Sequence, residues 1–336
     1  MTRRQPLPED FIDAPFAVAQ AHAAGIPRSR LRAADLSSPT RGVRRFREEE
    51  SKQGRESKQG EESEDDEQDA ELTPTQRMQR LSALLREEAE GFAAAFTPHQ
   101  FLSHETGLAL LGAPLPYTTA VRREVHVSVR RPHPLPRRRG VHGHRLQDRK
   151  SARWRAGGLP IEHPARMWRQ AASQWELDDL IIAGDFLIHP DRRLVTLDDL
   201  REEVAEAGDV RGLLTAALRE IRSGSESSEE SRLRLLLTRA GLPDPVLNMN
   251  LLDSTGRFIA RLDLAYPKYR VAPEYDGRGH AEEAQFAKDA DRWDAIRAQD
   301  WQHIRILSHH LRPNPQIAVD KVAAALFAAG WRPGRR

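Results

Sequence analysis

The sequence contains no cysteine among its 336 residues, and this absence excludes several classes of site. Disulfide bonds, thiolate zinc sites, iron–sulfur clusters and cysteine nucleophiles all need the residue that this chain lacks. The chain also has no run of about 18 apolar residues, so we expect no membrane-spanning helix. Its first ten residues lack the apolar stretch of a secretory signal. Together these absences predict a soluble, cytoplasmic protein.

The charged residues, 52 basic and 50 acidic, are segregated along the chain. Residues 46–70 contain 11 acids and four bases. Residues 120–155 contain 12 Arg and Lys against two acids, and residues 1–45 contain eight Arg against four acids. Basic blocks in a chain of balanced total charge indicate a protein that binds polyanions.

Composition predicts where the domains begin and end. Residues 46–74 contain almost nothing apolar and repeat the sequence ESKQG, so they cannot bury enough surface to fold and are interpreted as a disordered acidic linker. A polar Ser/Gly stretch at 223–231 marks a second break. The predicted segments are a winged helix-turn-helix (1–45), the linker (46–74), a basic α+β domain (75–222) and a C-terminal α/β domain (223–336).

The N-terminal segment has the pattern of two short helices, Pro15–Gly25 and Pro27–Asp35, followed by a small wing strand at 40–45. In a helix-turn-helix the second helix enters the major groove of DNA. The alternative is a helical hairpin with a solvated arginine face. The candidate DNA contacts are Arg28, Arg30, Arg44 and Arg45.

The basic middle segment predicts two strands, 121–129 and 141–146, that pair across a connection rich in arginine. Arg137, Arg138 and Arg139 on that connection are candidate phosphate contacts, and a solvated hairpin tip is the alternative. Two histidines of the second strand, in His142-Gly-His144, are compatible with a metal pair. In an arginine-rich hairpin we favour phosphate donors.

Acidic side chains interrupt the apolar pattern of the C-terminal segment. Asp263 lies within the apolar strand 258–265, while Glu274 and Asp276 end the following strand and point to one side. A turn centred on Pro267 and Lys268 would place position 263 opposite about 272, so that Glu274 is its diagonal neighbour at roughly 7–8 Å.

Two carboxylates buried together usually need a cation, and oxygen ligands favour a hard ion, Mg²⁺ or Mn²⁺. Such an ion polarises a phosphodiester oxygen and lowers the pKa of an attacking water. The alternative is that Asp263 or Glu274 forms an ordinary ion pair with Arg261 or Arg270.

Residues 225–335 resemble the very-short-patch-repair-like endonuclease domain of the PD-(D/E)XK, or restriction-endonuclease-like, superfamily. The resemblance rests on the strand that contains Asp263, on Glu274-Tyr-Asp-Gly277 with His280, on Asp291-Arg292, and on Trp301 with Ile304-Arg-Ile306. It implies an α-β-β-β-α-β core in which Asp263 and Glu274 hold Mg²⁺. It also implies that Glu230 of the first helix, or its neighbour Glu229, completes the acidic site.

Two positions depart from the superfamily pattern. Asp276 stands where the superfamily has a lysine that activates water, so Lys268, Arg270 or His280 would have to substitute, His280 as a general base. Pro273 is unexpected in a central strand because it removes a ladder donor. Both departures are compatible with a nuclease fold that still binds DNA but no longer cuts it.

The N-terminal helix-turn-helix and the motif Leu102-Ser-His-Glu-Thr-Gly-Leu-Ala-Leu-Leu-Gly-Ala-Pro-Leu-Pro116 look like antitoxins of type IV, or abortive-infection, systems. This resemblance implies a DNA reader and possible recognition of a cognate toxin. The sequence therefore predicts a multidomain α/β protein that is a Mg²⁺- or Mn²⁺-dependent DNA endonuclease. Its rival is a DNA-binding regulator or antitoxin without catalysis.

Overall fold

The computed structural model describes residues 6–47, 72, 74–116, 124–147, 154–209, 211–276 and 291–334. It divides into two compact units, Met1–Ala171 and Ala172–Arg336. Both units mix helices and sheets, which confirms the α/β class. The second unit begins ahead of the predicted boundary at residue 222. Most of the predicted linker, and His280, lie outside the described residues.

The first unit opens with a small antiparallel sheet of order β1-β3-β2 and one short helix. Its elements are β1 (Phe16–Ala17), α1 (Val18–Ala23), β2 (Leu36–Ser37) and β3 (Val43–Phe46). The second predicted helix, 27–35, is wrong in extent, since only Arg30–Arg32 forms a 3₁₀ turn there. Arg30 is buried and donates to both carboxylate oxygens of Asp35, at 2.9 and 2.8 Å. This ion pair closes the turn, so the prediction that Arg30 points outward is also wrong.

The remainder of the first unit forms a five-stranded mixed sheet of order β6-β5-β4-β8-β7 with helices. The elements are α2 (Pro74–Ala93), β4 (Phe101–Leu102), α3 (His104–Leu110), β5 (Val125–Arg130), β6 (Val141–Leu146), β7 (Trp154–Ala156), β8 (Leu159–Ile161) and α4 (Pro164–Ala171). The predicted strand 141–146 is thereby confirmed.

Strands β5 and β6 pair in parallel, with Val125 opposite Val141 and Ser128 opposite His144. The hairpin expected for these strands is therefore wrong. The connection at 131–140 passes so close to β6 that a Cβ at Gly143 would lie 2.1 Å from the Pro136 carbonyl oxygen. Gly143 lets the connection cross at this point because it has no side chain.

In the second unit, helices both precede and follow the strands along the sequence. The elements are α5 (Leu177–Leu187), α6 (Leu197–Ala207), α7 (Leu213–Glu220), α8 (Ser228–Arg239), β9 (Val246–Leu252), β10 (Phe258–Ala265), β11 (Val271–Asp276), β12 (Gln302–Leu307), α9 (Ser308–Leu311) and α10 (Gln316–Ala328). Residues 291–297 are also helical. The strand predicted at 258–265 is confirmed as β10, and the predicted strand that ends with Glu274 and Asp276 is β11.

The apolar faces of α8 and α10 pack against β10, β11 and β12 in one buried cluster. Leu233, Leu237 and Val322 are fully buried there. A second cluster, which includes Leu262, Ile296 and Trp301, buries other residues of the same strands. Among the described residues, none of the helices combines the length and apolar character needed to cross a membrane.

The connection between β10 and β11 determines how the acidic residues meet. An antiparallel bridge joins Tyr266 to Val271, and Arg270 in the intervening turn has a positive φ of 51°. If continued, this register places position 263 across from 274, not 272 as predicted. Beyond the bridge the strands separate into sheets β9–β10 and β11–β12. Pro273, which has no N–H to donate, lies where that ladder stops.

Candidate functional site

Asp263 and Glu274 come together between β10 and β11. A carboxylate oxygen of Asp263 accepts a hydrogen bond of 3.3 Å from the backbone N–H of Tyr275, the residue after Glu274. Strand β10 is apolar on either side of Asp263, so the strand carries this carboxylate into the unit. The structure therefore brings the two predicted acids to adjacent positions.

Asp263 has no ion-pair partner within the part of the chain that the structure describes. Burial raises the pKa of Asp263 to about 8, and the nearby charges of Glu274 and Glu230 add to the increase. A buried carboxylate without a cation is costly, so it is rarely kept without a reason. The alternative that Asp263 pairs with Arg261 or Arg270 is wrong, because these arginines contact Glu226 and Asp300.

Glu274 is already engaged by two side chains. Arg292 donates to one carboxylate oxygen at 2.5 Å, and the Nε2 of His303 lies 2.9 Å from the other. Burial acts to raise the pKa of Glu274, but the hydrogen bonds from His303 and Arg292 outweigh it and hold the pKa below its ordinary value. Glu274 is therefore ionised and held in one orientation.

Glu230 is the third carboxylate of the site and is buried in the first turn of α8. Its Oε2 accepts hydrogen bonds of 2.9 Å from the backbone N–H of Glu226 and the side-chain amide of Asn248. The pairs Leu262–Met249 and Leu264–Leu247 put Asn248 across from Asp263 in the β9–β10 register. Of the two alternatives, Glu230 therefore faces the acids, while Glu229 lies near Arg232.

The residues proposed to replace the missing lysine lie elsewhere. Lys268 lies over the ring of Tyr269, and Arg270 contacts Asp300. Asp276 is buried and accepts a 2.7 Å hydrogen bond from Arg305. The expectation that Lys268 or Arg270 approaches Glu274 therefore finds no support among the described contacts.

Sequence reasoning missed His303 and Asn248. His303 lies in β12, beside Ala272 of β11 in a parallel ladder, and a parallel partner strand cannot be read from local sequence. Asn248 carries a weak signal, because a polar residue interrupts an apolar strand and adopts a positive φ of 45°. Such a conformation outside glycine is enriched at functional sites.

Three carboxylates, those of Asp263, Glu274 and Glu230, lie near one another, and guanidinium groups accompany two of them, Arg292 beside Glu274 and Arg192 near Glu230. The carboxylate oxygens do not form a compact ligand set. Within the described residues, three potential ligand atoms lie within 4.8 Å of one another only at a group of three histidines in the first unit. Asp263 is the carboxylate with the most to gain from an added cation.

Three predicted DNA-contact arginines line an open cleft in the first unit. Arg137, Arg138 and Arg139 share this cleft of about 1080 Å³ with Arg41 at the tip of the β2–β3 hairpin, and we call it the arginine cleft. All four side chains are exposed, and Glu87 and Glu88 of α2 line the same cleft. The four arginine charges therefore face solvent.

The other predicted DNA contacts differ in availability. Arg28 is exposed. Arg44 donates to the carbonyl of Leu31 at 2.7 Å, and Arg45 pairs with Glu87 and Glu90 of α2. Together with the buried Arg30, these two arginines hold the small sheet in place, so the structure assigns them to packing.

Comparison with known proteins gives relatives without described functions. The chain is 30% identical over 152 residues to two uncharacterized proteins of Mycobacterium tuberculosis, MT2308 of strain CDC 1551 / Oshkosh and Rv2248 of strain ATCC 25618 / H37Rv. The match covers 41% of this chain and 56% of each relative, so the chain spans about half the length of the curated relatives it matches. No family model matches the chain, and no solved structure matches it significantly.

The raised pKa of Asp263 predicts a pH-dependent stability. The carboxyl ionises near its ordinary pKa when unfolded but only near 8 when folded, so its contribution to stability is lost as the pH rises from about 4 to 8. Between pH 5 and pH 8 the free energy of unfolding of the wild type should fall by roughly 2–4 kcal/mol through this carboxyl, and Asp263→Asn should abolish that part of the fall. Urea unfolding followed by circular dichroism, in EDTA, measures it. Identical pH slopes for variant and wild type would contradict the assignment.

Proposed function

We propose that the protein is a metal-dependent DNA endonuclease whose site is formed by Asp263, Glu274 and Glu230. The observation that carries the proposal is the half-buried Asp263 carboxylate, which forms no ion pair among the described residues and lies beside two further acids. Such a site is unfavourable for the apo chain and favourable for binding Mg²⁺ or Mn²⁺. The resemblance to the PD-(D/E)XK superfamily supports the same reading.

Each side chain has a distinct part in this proposal. Asp263 and Glu274 hold the cation, while Arg292 and His303 orient Glu274. Glu230, held by Asn248, would orient a water at the site. When bound, the ion supplies charge stabilisation at the phosphodiester and a lower pKa for water. Asp276 is a positioning residue that ties β11 to Arg305, and the role of His280 as a general base stays a prediction.

The arginine cleft is the proposed DNA-binding surface, in place of a recognition helix. Replacing Arg137, Arg138 and Arg139 with Ala should weaken DNA binding and reduce the slope of log K against log salt by about 0.9 for each phosphate that the cleft no longer neutralises. Fluorescence anisotropy at several salt concentrations measures this slope. The control is the double variant Arg201→Ala, Arg297→Ala, since both arginines are exposed but paired with acids. If the slope of the triple variant equals that of the wild type, the arginine cleft is not the DNA-binding surface.

The test of the proposed function is hydrolysis of labelled duplex, plasmid and mismatched DNA by the full chain. We expect cutting with Mg²⁺ or Mn²⁺ and none with EDTA. If the chain binds these DNA substrates but cuts none of them with any divalent ion, the endonuclease proposal is wrong.

A second candidate is a DNA-binding regulator, in which the nuclease-like domain serves only as a scaffold. Two contacts favour this candidate: Arg292 donates to Glu274, and Arg305 donates to Asp276. Both carboxylates are thus already engaged by protein side chains. This candidate predicts sequence-specific binding of DNA in gel-shift assays and a cognate toxin as partner. It also predicts that calorimetry detects no Mn²⁺ binding that depends on Asp263.

A further inference from the structure

The first unit contains a group of four histidines, two of them buried, that the proposed nuclease does not use. Four imidazoles meet where α3 begins and where β5 and β6 lie side by side, and we call them the histidine cluster: His104, His126, His142 and His144. The parallel register places His126 beside His142. Alternation along β6 then puts His144 on the same face. His104 adopts a positive φ of 52°, which turns its side chain at the start of α3.

Three members present nitrogen atoms to one another. The Nδ1 of His126 lies 2.9 Å from the Nε2 of His144, and the rings of His104 and His144 stack at 3.7 Å. One nitrogen from each of these three residues lies within 4.8 Å of the other two. Two imidazole nitrogens bound at 2.0–2.1 Å to one ion are about 2.9–3.4 Å apart, which the closest pair matches.

The outward nitrogens of the cluster have oxygen partners. The Nε2 of His126 lies 3.6 Å from a carboxylate oxygen of Glu105, and the Nδ1 of His104 lies 2.9 Å from the hydroxyl of Ser103. Ser103 is itself hydrogen-bonded to Ser128 at 2.6 Å. In metal sites the second ring nitrogen of a ligating histidine is usually held in this way, by a carboxylate or another polar group.

The protonation of the cluster also suits ligation. Burial and the neighbouring histidines lower the pKa of His104 to about 2 and that of His144 to about 3, so both rings are neutral at physiological pH. The neutral ring of His144 carries no positive charge to attract a phosphate. For His144, metal ligation therefore fits the surroundings better than a phosphate contact does.

We propose that His104, His126 and His144 bind one divalent transition-metal ion, Zn²⁺, in a site separate from the acids of the second unit. A set of three imidazoles without carboxylate ligands favours Zn²⁺ over Mg²⁺ or Mn²⁺. Three protein ligands leave a fourth position open to water or a small ligand. Glu105 and Ser103 orient the rings, and His142 stacks on His126 and His144.

The test uses the full chain without a histidine tag, stripped with chelator and reloaded with Zn²⁺ or Co²⁺ alone. We expect about one Zn²⁺ per chain by elemental analysis and a visible Co²⁺ spectrum typical of nitrogen ligands. His144→Gln should bind at least about 100-fold more weakly, and Glu105→Gln about 10- to 100-fold more weakly.

The matched control is His133→Gln, because His133 stacks on His99 in the same unit but outside the cluster. It should bind like the wild type. Zinc binding by the folded wild type below one tenth of an equivalent, or equal affinity in wild type, His144→Gln and Glu105→Gln, would overturn the proposal. The wild-type stoichiometry decides the question even if a variant fails to fold.

Discussion

Asp263→Asn is expected to lower metal-dependent DNA cleavage by about 10²–10³-fold while the chain stays folded. The substitution keeps the shape of the side chain and removes the charge that would hold the cation. Glu274→Gln should cause a similar loss, because it leaves one anionic ligand. If both acids hold one ion, the double variant should be little worse than either single variant, since groups that act as a unit are not additive.

Stability separates this result from general damage. Asp263→Asn removes a half-buried carboxylate whose pKa is raised by desolvation, so the variant should be as stable as the wild type or more stable at pH 8. Asp300→Asn is the matched control, because Asp300 is an exposed acid with a positive φ that Asn tolerates. It should cut like the wild type. Wild-type rates in both Asp263→Asn and Glu274→Gln would remove the pair from the mechanism.

Asp185→Ala is expected to lower the free energy of unfolding of the second unit by about 3–5 kcal/mol. Asp185 is buried and accepts hydrogen bonds from Arg234 at 2.8 Å, from the Ser231 hydroxyl at 2.7 Å and from the backbone N–H of Arg222 at 2.7 Å. Its loss leaves the Arg234 guanidinium buried without its anion. Since Arg234 and Ser231 lie on α8, the same change should disturb Glu230.

Urea unfolding followed by circular dichroism measures this loss. Asp294→Ala provides the comparison, since Asp294 pairs with Arg297 on the surface and should cost at most about 0.5 kcal/mol. Adding Arg234→Met to Asp185→Ala should recover part of the loss, because no unpaired charge is then buried. A cost below about 1 kcal/mol for Asp185→Ala would contradict the buried pair.

Local patterns were sufficient for most helices and for the acids. The spacing of Leu233, Leu236 and Leu237 predicts α8 because one face of a helix must be apolar. Asp263 was identifiable because it interrupts an apolar strand. Both features depend on residues close together in the sequence, which is where pattern reasoning works.

Non-local pairing was beyond the sequence. The parallel alignment of β5 with β6, and the two-residue difference in the β10–β11 register, follow from packing and from the conformation of Arg270. The sequence alone predicts that Arg30 lies on the surface, because its ion pair with Asp35 is visible only in the structure. His303 is ordinary in its strand and becomes significant only beside Glu274.

The packing around Trp293 gives the acidic site an optical reporter. The indole stacks on the His303 ring at 5.6 Å, and the Arg305 guanidinium lies 5.1 Å from it. These two side chains hold Glu274 and Asp276, so any rearrangement of the carboxylates changes the surroundings of one tryptophan. Emission from Trp293, isolated by replacing the other five tryptophans with Phe, would follow events at the acids without an added dye.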